Sequence, residues 1–283
     1  MTRLLLEAGA SIGELNTVRK HLSRLKGGQL ARAAAPAPVL ALVLSDVIGD
    51  PLDVIASGPT TPDPTTFADA LRVLGDRGLT ARVPDTVTRY LHAGLRGEAS
   101  ETPKPDDPLF AAVTNTVIGN NALVAAAATA AASGLGYETE LLTRQLEGEA
   151  REVARDLVSR ARGRPAPTCL VAAGETTVTV RGHGRGGRCQ EFALAAALEL
   201  EPGDGLTILA AGTDGTDGPT DAAGAVVDAR TARRDPAVAR RAQVALDDND
   251  AHGFLAGTDD LIVTGPTNTN LLDLYLALRG PAQ

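Results

Sequence analysis

The chain has 283 residues, a length that predicts two domains of ordinary size and a core that folds without disulfides or structural metals. Its 27 Lys and Arg against 35 Asp and Glu give a formal net charge of −8, which argues against nucleic acid or an anionic membrane as the main partner. Aromatic residues make up 2% of the sequence, so there are few rings to stack on bases. The apolar stretches are shorter than a membrane span and the first residues lack the pattern of a secretory signal, so we expect a cytoplasmic protein.

Apolar runs of strand length alternate with segments of helical period, which is typical of an α/β fold. Before residue 101 the pattern predicts an opening helix, a buried strand at 38–44 and helices at 65–75 and 84–94. After the Pro- and charge-rich stretch 101–108 it predicts strands at 111–118, 137–143, 168–173, 176–180, 206–211, 225–227, 261–264 and 273–278, and helices at 121–133, 148–163, 189–200 and 236–246. Too few strands precede this stretch to flank the strand at 38–44 on both sides, so the first domain is expected to be incomplete.

Polar segments follow several predicted strands, where open α/β sheets place their ligands. The segment 45–53 contains Asp46 and Asp50, which can hold Mg²⁺ through one or two carboxylates. The segment 212–224 contains three aspartates in turn-like sequences, Asp214, Asp217 and Asp221. For both segments the alternative is ordinary turn chemistry, because Asp, Gly and Pro are common turn formers.

The segment Gly182–Arg188 precedes a predicted helix and is composed almost entirely of glycine and cationic residues. Glycines let backbone amides converge on an anion, and the helix N-terminus adds partial positive charge. Arg185 and Arg188 add guanidinium donors for phosphate or carboxylate. The alternatives are a hairpin tip with solvated arginines and a dinucleotide-binding fingerprint, since the glycine spacing also matches G-x-G-x-x-G with Asp214 as the ribose acid.

The segment 265–270 is a polar loop whose amides and hydroxyls, including that of Thr267, can bind phosphate or substrate oxygens, or it is a plain connector. The Walker A pattern is absent, which excludes a P-loop kinase. A Gly-x-Ser-x-Gly elbow is absent as well, so nothing indicates acyl transfer.

A set of longer motifs is spread over the whole chain. They are N-T-V-R-K-H-L-S (16–23), K-G-G (26–28), L-S-D-V-I-G-D (44–50), S-G-P-T (57–60), E-T-P-K-P (101–105), G-E-T-T-V (174–178), G-R-G-G-R (184–188), T-D-G (213–215), D-G-P-T-D-A-A-G (217–224) and G-P-T-N-T-N (265–270). In this order they resemble the class II glycerate kinases, the glycerate 2-kinase family whose C-terminal part is called the MOFRL domain. Cys189 departs from the family, which usually has Asn at that position.

The resemblance implies two three-layer Rossmann-like α/β domains with the site in the cleft between them. Residues 1–105 would be the C-terminal part of the family's N-terminal kinase domain, and residues 106–283 the MOFRL-type domain. It also implies that roughly the first third of the family's chain is absent, so that the first domain is truncated and incomplete. The activity of the shortened chain is therefore open.

The implied activity is the ATP- and Mg²⁺-dependent phosphorylation of D-glycerate at its 2-hydroxyl to give 2-phosphoglycerate. The implied catalytic residues are Arg188, Asp214 and Glu175, and the metal ligands are Asp46 and Asp50. The substrate- and nucleotide-binding residues expected from the motifs are Arg185, Gly186, Gly187, Asn270, Thr267, Ser57 and Lys26. The alternatives are an NAD(P)H-dependent hydroxypyruvate reductase and a non-catalytic nucleotide-binding fragment, and a homo-oligomer is compatible with each.

Overall fold

The computed structural model describes residues 1–280, and most of its elements begin and end close to the predicted positions. The α-helices are α1 (Thr2–Glu7), α2 (Ile12–Leu22), α3 (Gln29–Ala34), α4 (Phe67–Asp76), α5 (Asp85–Leu95), α6 (Asn121–Gly134), α7 (Ala150–Arg162), α8 (Arg188–Glu199), α9 (Ala229–Arg233), α10 (Pro236–Asp247) and α11 (Ala251–Ala256). The strands are β1 (Val39–Leu44), β2 (Val113–Gly119), β3 (Glu138–Leu146), β4 (Thr168–Gly174), β5 (Leu206–Gly212), β6 (Gly224–Asp228), β7 (Leu261–Ile262) and β8 (Asp273–Arg279). Short 3₁₀ helices lie at Ile55–Ser57 and Pro108–Ala112.

The chain divides into two compact units. The first comprises Met1–Val43 and Gly49–Ile118, and the second comprises Leu44–Ile48 and the chain from Gly119 onward. The predicted domain boundary after residue 105 lies before this division and stays a prediction about the family's domains.

The first unit is built mainly of helices around one apolar core. Helices α2 and α4 each begin with a capping box, in which Ser11 or Thr66 exchanges hydrogen bonds with the residue three positions on. The buried side chains of this core are Leu5, Leu15, Val18, Phe67, Ala70, Val73, Leu74, Leu79, Val83 and Leu91. Local capping signals and the helical period therefore account for most of this unit.

Strands β1 and β2 form a two-stranded sheet with one open face. The prediction of a fully buried strand at 38–44 is wrong, because Leu40 is 69% and Leu42 is 62% exposed. Burial alternates along β1, with one side of the strand partly covered and the other facing outward. The continuous apolar run gave no sign of this alternation.

The second unit contains a six-stranded sheet of order β3-β4-β8-β5-β6-β7. Only β3 and β4 pair in parallel, while β8 runs antiparallel to both β4 and β5, and β6 runs antiparallel to β5 and β7. The α/β class is confirmed, but this sheet is mixed and not all parallel. The reason is that β8 inserts between β4 and β5 in the opposite direction, which no local pattern could reveal.

Helices cover both faces of this sheet, so the second unit has three layers with the sheet in the middle. On one face α6 packs over Cys169, Val171 and Ala173 of β4. On the other face α7 and α8 pack over Leu170 and Ala172. The alternate side chains of the buried strand β4 thus enter two different cores, which explains why its sequence is apolar at every position.

The strand predicted at 176–180 is absent. This segment makes a single isolated bridge between Thr177 and Glu149, and it runs otherwise as a loop. Its β-branched residues gave it strand propensity, but propensity alone does not provide a pairing partner. Within residues 1–280, no helix combines the length and apolarity that a membrane crossing requires.

Candidate active site

The strand register of the second unit brings several predicted site residues to one edge of the sheet. Asp273, the first residue of β8, lies opposite Gly174 of β4 and Gly212 of β5. The segments that follow β4 and β5 and the segment that precedes β8 therefore meet at this edge. These segments carry Glu175, Asp214, Thr267 and Asn270.

Arg188 is the first residue of α8, and its guanidinium group is held by two carboxylates. Nε and Nη2 donate to the two oxygens of Asp273 at 2.5 and 2.9 Å, and Nη1 lies 3.0 Å from Oε1 of Glu175. The hydrogen bonds to Asp273 raise the pKa of Arg188 above its ordinary range, against the opposing effect of burial. Arg188 is therefore a permanently charged group in a fixed orientation, with 33% of its side chain exposed.

Asp273 and Tyr275 are site residues that the sequence reasoning missed. Asp273 is 1% exposed, and Tyr275 donates its hydroxyl to Oδ2 of Asp273 at 3.0 Å. The Tyr275 hydroxyl also lies 3.0 Å from Oγ1 of Thr176. The available signal was the two-residue period of β8, which places the strand's acidic residue on the same face as its tyrosine.

The glycine-rich segment, Gly182–Arg188, packs against the connection between α10 and α11. Asn249 accepts hydrogen bonds from the backbone N–H groups of Arg181 and Gly182, and Asp248 accepts those of His183 and Gly184. Since these amides are engaged within the protein, the prediction that they converge on an anion is wrong for this part of the segment. The same hydrogen bonds leave the dinucleotide fingerprint without the amides that it needs.

Asp250 makes the next contact of this segment. Its Oδ1 accepts from the backbone N–H of Arg185 at 3.1 Å, and a Cβ at position 184 would collide with Asp250. Gly184 is therefore required for close packing of the two segments, which is a structural role.

The amides of Gly186, Gly187 and Arg188 differ from those earlier in the segment, which are engaged within the protein. Within residues 1–280, no atom accepts a hydrogen bond from these three N–H groups, which precede or open α8. Unpartnered amides at the start of a helix are the groups that bind phosphate in many proteins. For this end of the segment, which leads into Arg188, anion binding stays a prediction.

The next two amides of α8 are capped by Asp217, which is 4% exposed. Its carboxylate accepts the backbone N–H groups of Cys189 at 3.1 Å and Gln190 at 2.9 Å. Burial raises the pKa of Asp217, although these hydrogen bonds oppose the shift. Burial also raises the pKa of the Cys189 thiol well above its usual range, which disfavours the reactive thiolate.

The loop after β5 and the loop before β8 are joined by hydrogen bonds. Thr267 donates its backbone N–H to the carbonyl of Asp214 at 2.9 Å and its hydroxyl to the carbonyl of Thr213 at 2.6 Å. Oδ1 of Asp214 accepts from the Thr216 N–H at 2.9 Å, and Oδ1 of Asn270 accepts from the Leu272 N–H at 3.1 Å. These bonds fix the backbone that carries both polar side chains.

Lys26 and Ser57 lie in the first unit. Lys26 donates to the carbonyl of Ala56 at 2.9 Å, and Ser57 donates its hydroxyl to buried Asn16 at 2.8 Å. Burial, with a smaller contribution from Arg19, lowers the pKa of Lys26. Ala56 and Ser57 have φ of 51° and 63°, a left-handed conformation that non-glycine residues rarely adopt and that is concentrated at functional sites. Lys26 and Ser57 stay predicted binding residues.

Asp46 belongs to the second unit and Asp50 to the first. Within residues 1–280 there is no cluster of three or more His, Cys, Asp or Glu arranged to hold a metal. Mg²⁺ that is bound through one or two carboxylates and substrate phosphates does not need such a cluster. The donor chemistry therefore fits Mg²⁺, and the two aspartates stay predicted ligands.

The fold defines an α/β protein, and comparison with known proteins gives its family. Residues 1–92 match a domain of unknown function (DUF4147), and residues 168–273 match the MOFRL family. The chain is 45% identical to the D-glycerate 2-kinase of Thermotoga maritima over 98% of its own length, and it spans 65% of the length of that relative. It is 38% identical to the glycerate kinase of Macaca fascicularis, of which it spans 82%.

A solved structure agrees with these sequence relatives. The crystal structure of the glycerate kinase from Thermotoga maritima superimposes with a TM-score of 0.88 at 44% identity, covering 98% of this chain and 66% of that chain. The chain therefore belongs to the glycerate kinase family.

Proposed function

We propose that this chain acts as a glycerate 2-kinase, transferring the γ-phosphoryl group of ATP to the 2-hydroxyl of D-glycerate. A relative named D-glycerate 2-kinase, at 45% identity, supports this activity. The observation that carries the proposal is the Arg188 guanidinium, fixed by Asp273 and Glu175 at the start of α8, where the amides of residues 186–188 have no acceptor among residues 1–280.

Arg188 stabilises the negative charge of the transferring phosphoryl group. A guanidinium group has five N–H donors, of which Asp273 and Glu175 engage three, so two remain for phosphate oxygens. The amides of Gly186 and Gly187 donate to the same group, and Arg185 adds charge at the edge of the segment. Phosphoryl transfer depends mainly on such positioning and charge stabilisation, so a preoriented cation is the main requirement.

The carboxylates Glu175 and Asp214 have different roles in the proposed reaction. Glu175 contacts Arg188 and orients it, whereas Asp214 has one carboxylate oxygen that is not engaged by the Thr216 amide. Asp214 accepts the proton of the 2-hydroxyl group of glycerate. The hydroxyl oxygen bonds to the γ-phosphorus of ATP as the bond between that phosphorus and the bridging oxygen breaks, and ADP leaves. Thr267 and Asn270 contribute polar groups that bind the substrate.

The remaining binding residues come from the motifs of the family. Asp46 and Asp50 would hold Mg²⁺, which when bound neutralises charge on the phosphates. Lys26 and Ser57 are the binding residues that these motifs predict within the first unit.

The direct test measures ADP release by the 283-residue chain with ATP, Mg²⁺ and D-glycerate, with enolase added to convert 2-phosphoglycerate to phosphoenolpyruvate. We expect ADP release that requires D-glycerate, together with phosphoenolpyruvate formed without a mutase. Replacement Arg188→Lys keeps the charge but loses the two-pronged contact with Asp273, so kcat should fall about a hundredfold. The matched control, Arg160→Lys, should change kcat by no more than about threefold, because Arg160 is an exposed residue of α7 whose partner, Asp156, lies on the same helix.

Two results would contradict the proposal. One is ADP release that does not respond to D-glycerate. The other is an Arg188→Lys protein whose kcat equals that of the unchanged chain.

A further inference from the structure

The segment around α10 is rich in charged residues. Residues 228–250 contain five arginines and five aspartates, and the arginines are concentrated between residues 230 and 241. Two of these arginines have internal partners, since Arg230 pairs with Asp228 and Arg233 donates to the carbonyl of Leu198. The proposed kinase chemistry uses none of this segment.

A cavity of about 280 Å³ lies between α10 and α11. Its lining includes the apolar residues Val238 and Ala245 of α10 and Phe254 of α11, the cationic residues Arg234 and Arg241, and one carboxylate, Asp250. Water occupies about 30 Å³ per molecule in the liquid, so the cavity has room for about ten non-hydrogen atoms.

The two arginines that line the cavity have no acidic partner. Within residues 1–280, neither Arg234 nor Arg241 forms an ion pair or donates a side-chain hydrogen bond. Guanidinium groups bind phosphate and carboxylate through paired N–H donors. The lining also contains the Asp250 carboxylate, whose Oδ1 accepts the Arg185 N–H, so two cations and one anion give the cavity a formal charge of +1 and favour an anionic ligand. The apolar wall adds a surface for a hydrocarbon or aromatic group.

We propose that this cavity binds a small organic anion, with its phosphate or carboxylate group on Arg234 and Arg241 and its apolar part against Val238 and Phe254. The site is separate from the sheet edge that carries Arg188. It depends on these side chains alone, and the binding does not require the proposed kinase activity.

Occupancy of the cavity is coupled to the glycine-rich segment through Asp250. Asp250 lines the cavity, and its Oδ1 accepts the N–H of Arg185 at 3.1 Å. Two residues on, the His252 N–H donates to the Arg185 carbonyl at 3.0 Å. The turn between α10 and α11 therefore contacts the ligand on one side and the backbone that leads to Arg188 on the other. That a ligand here regulates phosphoryl transfer rests on the proposed function.

Binding is tested by calorimetric titration of the 283-residue chain with phenyl phosphate, which has a dianionic head and one ring. We expect saturable binding that weakens about tenfold or more in Arg241→Gln and in Arg234→Gln, since each change removes a charged hydrogen-bond donor. Arg240→Gln is the matched control, because Arg240 is next to Arg241 on α10 but does not line the cavity. It should bind phenyl phosphate as the unchanged chain does.

Arg188→Gln separates this site from the proposed kinase site and should retain the binding. Inorganic phosphate should bind more weakly than phenyl phosphate, because it has no apolar group to pack against Val238 and Phe254. The proposal is overturned if phenyl phosphate does not bind saturably, if Arg240→Gln weakens binding as much as Arg241→Gln does, or if Arg188→Gln abolishes it.

The coupling is tested by hydrogen exchange, which needs no catalytic activity. Phenyl phosphate should slow amide exchange in a peptide covering residues 181–188, and the effect should disappear in Arg241→Gln. Unchanged exchange in this peptide at saturating phenyl phosphate would overturn the coupling. An inactive chain that still binds and shows this protection would contradict the proposed function and leave the cavity site standing.

Discussion

Asp273 controls the orientation of Arg188, because it binds Nε and Nη2 of the same guanidinium group. It is almost completely buried, and it also accepts a hydrogen bond from the hydroxyl of Tyr275. A carboxylate in this position does not need to touch a substrate. We infer that it is a positioning residue, which acts by holding the cation at one angle.

Asp273→Asn should therefore lower kcat by an order of magnitude or more, because the amide cannot accept both N–H groups of Arg188. The free energy of unfolding should fall by roughly 1–3 kcal/mol, less than for a fully buried pair because Arg188 is partly exposed. Kinetic assays and urea unfolding measure the two effects. Tyr275→Phe removes only one hydroxyl and should cost less in both; if it matches Asp273→Asn in kcat, the positioning role belongs to the whole network.

At the level of single elements, α8 begins without a capping side chain of its own. Its N-cap residue is Gly187, and the carboxylate that accepts its second and third amides comes from Asp217 in a distant loop. The same carboxylate accepts the side-chain amide of Gln190 at 2.9 Å. Asp217 thus fixes the start of the helix from which Arg188 projects.

Asp217→Ala should lower the free energy of unfolding by roughly 2–4 kcal/mol, because it removes a cap and leaves buried N–H groups unsatisfied. Asp217→Asn should cost less at neutral pH, since it retains an acceptor and removes a buried charge. Urea unfolding curves measure both changes. Asp221→Ala, at a side chain that is 79% exposed, is the control and should stay within about 0.5 kcal/mol of the unchanged chain. Equal stability of the Ala and Asp proteins at position 217 would exclude the capping role.

The sequence predicted elements better than it predicted their partners. Capping residues and periodicity located α4, α6, α7, α8 and α10 to within a few residues, because these signals are local. Arg188, Glu175 and Asp214 were predicted as catalytic residues from the resemblance of their motifs to those of the family, and their roles stay predictions. Asp273 was missed because its role depends on β8 lying between β4 and β5, which is a pairing between distant parts of the chain.

The glycine-rich segment shows the same limit. Its composition is correct for an anion-binding loop, yet four of its consecutive amides, from Gly182 to Arg185, bind Asp248, Asn249 and Asp250. Nothing in the segment itself indicates that an acidic turn more than sixty residues later would use those donors.

For the molecule as a whole, acid should reduce stability through carboxylates that are paired in the folded state. Hydrogen bonds from Arg77 lower the pKa of Glu14 from 4.5 to about 2, and those from Arg72 lower the pKa of Asp69 from 3.8 to about 2. A lowered pKa in the folded state contributes stability above the unfolded value, and that stability is lost as pH falls through the folded value. The loss should therefore occur between about pH 4.5 and 2.

Glu14→Gln should reduce this acid sensitivity while lowering Tm slightly at neutral pH. The measurement is Tm by circular dichroism from pH 6 down to about 3, where the difference between the two proteins should shrink as pH falls. Glu152→Gln, at an exposed position in the second unit, should leave the pH dependence unchanged. A constant difference between Glu14→Gln and the unchanged chain across this range would contradict the linkage.

The position of β8 determines when the sheet of the second unit can form during synthesis of the chain. β8 lies between β4 and β5, but it is the last strand of the described chain to leave the ribosome. Until Asp273–Arg279 emerges, the β3–β4 pair and the β5–β6–β7 group have no strand to join them, and Arg188 has no Asp273 to bind. The sheet of the second unit and its candidate site are therefore completed after synthesis of that strand, and nascent chains that stall earlier expose two unpaired strand edges for chaperones to cover.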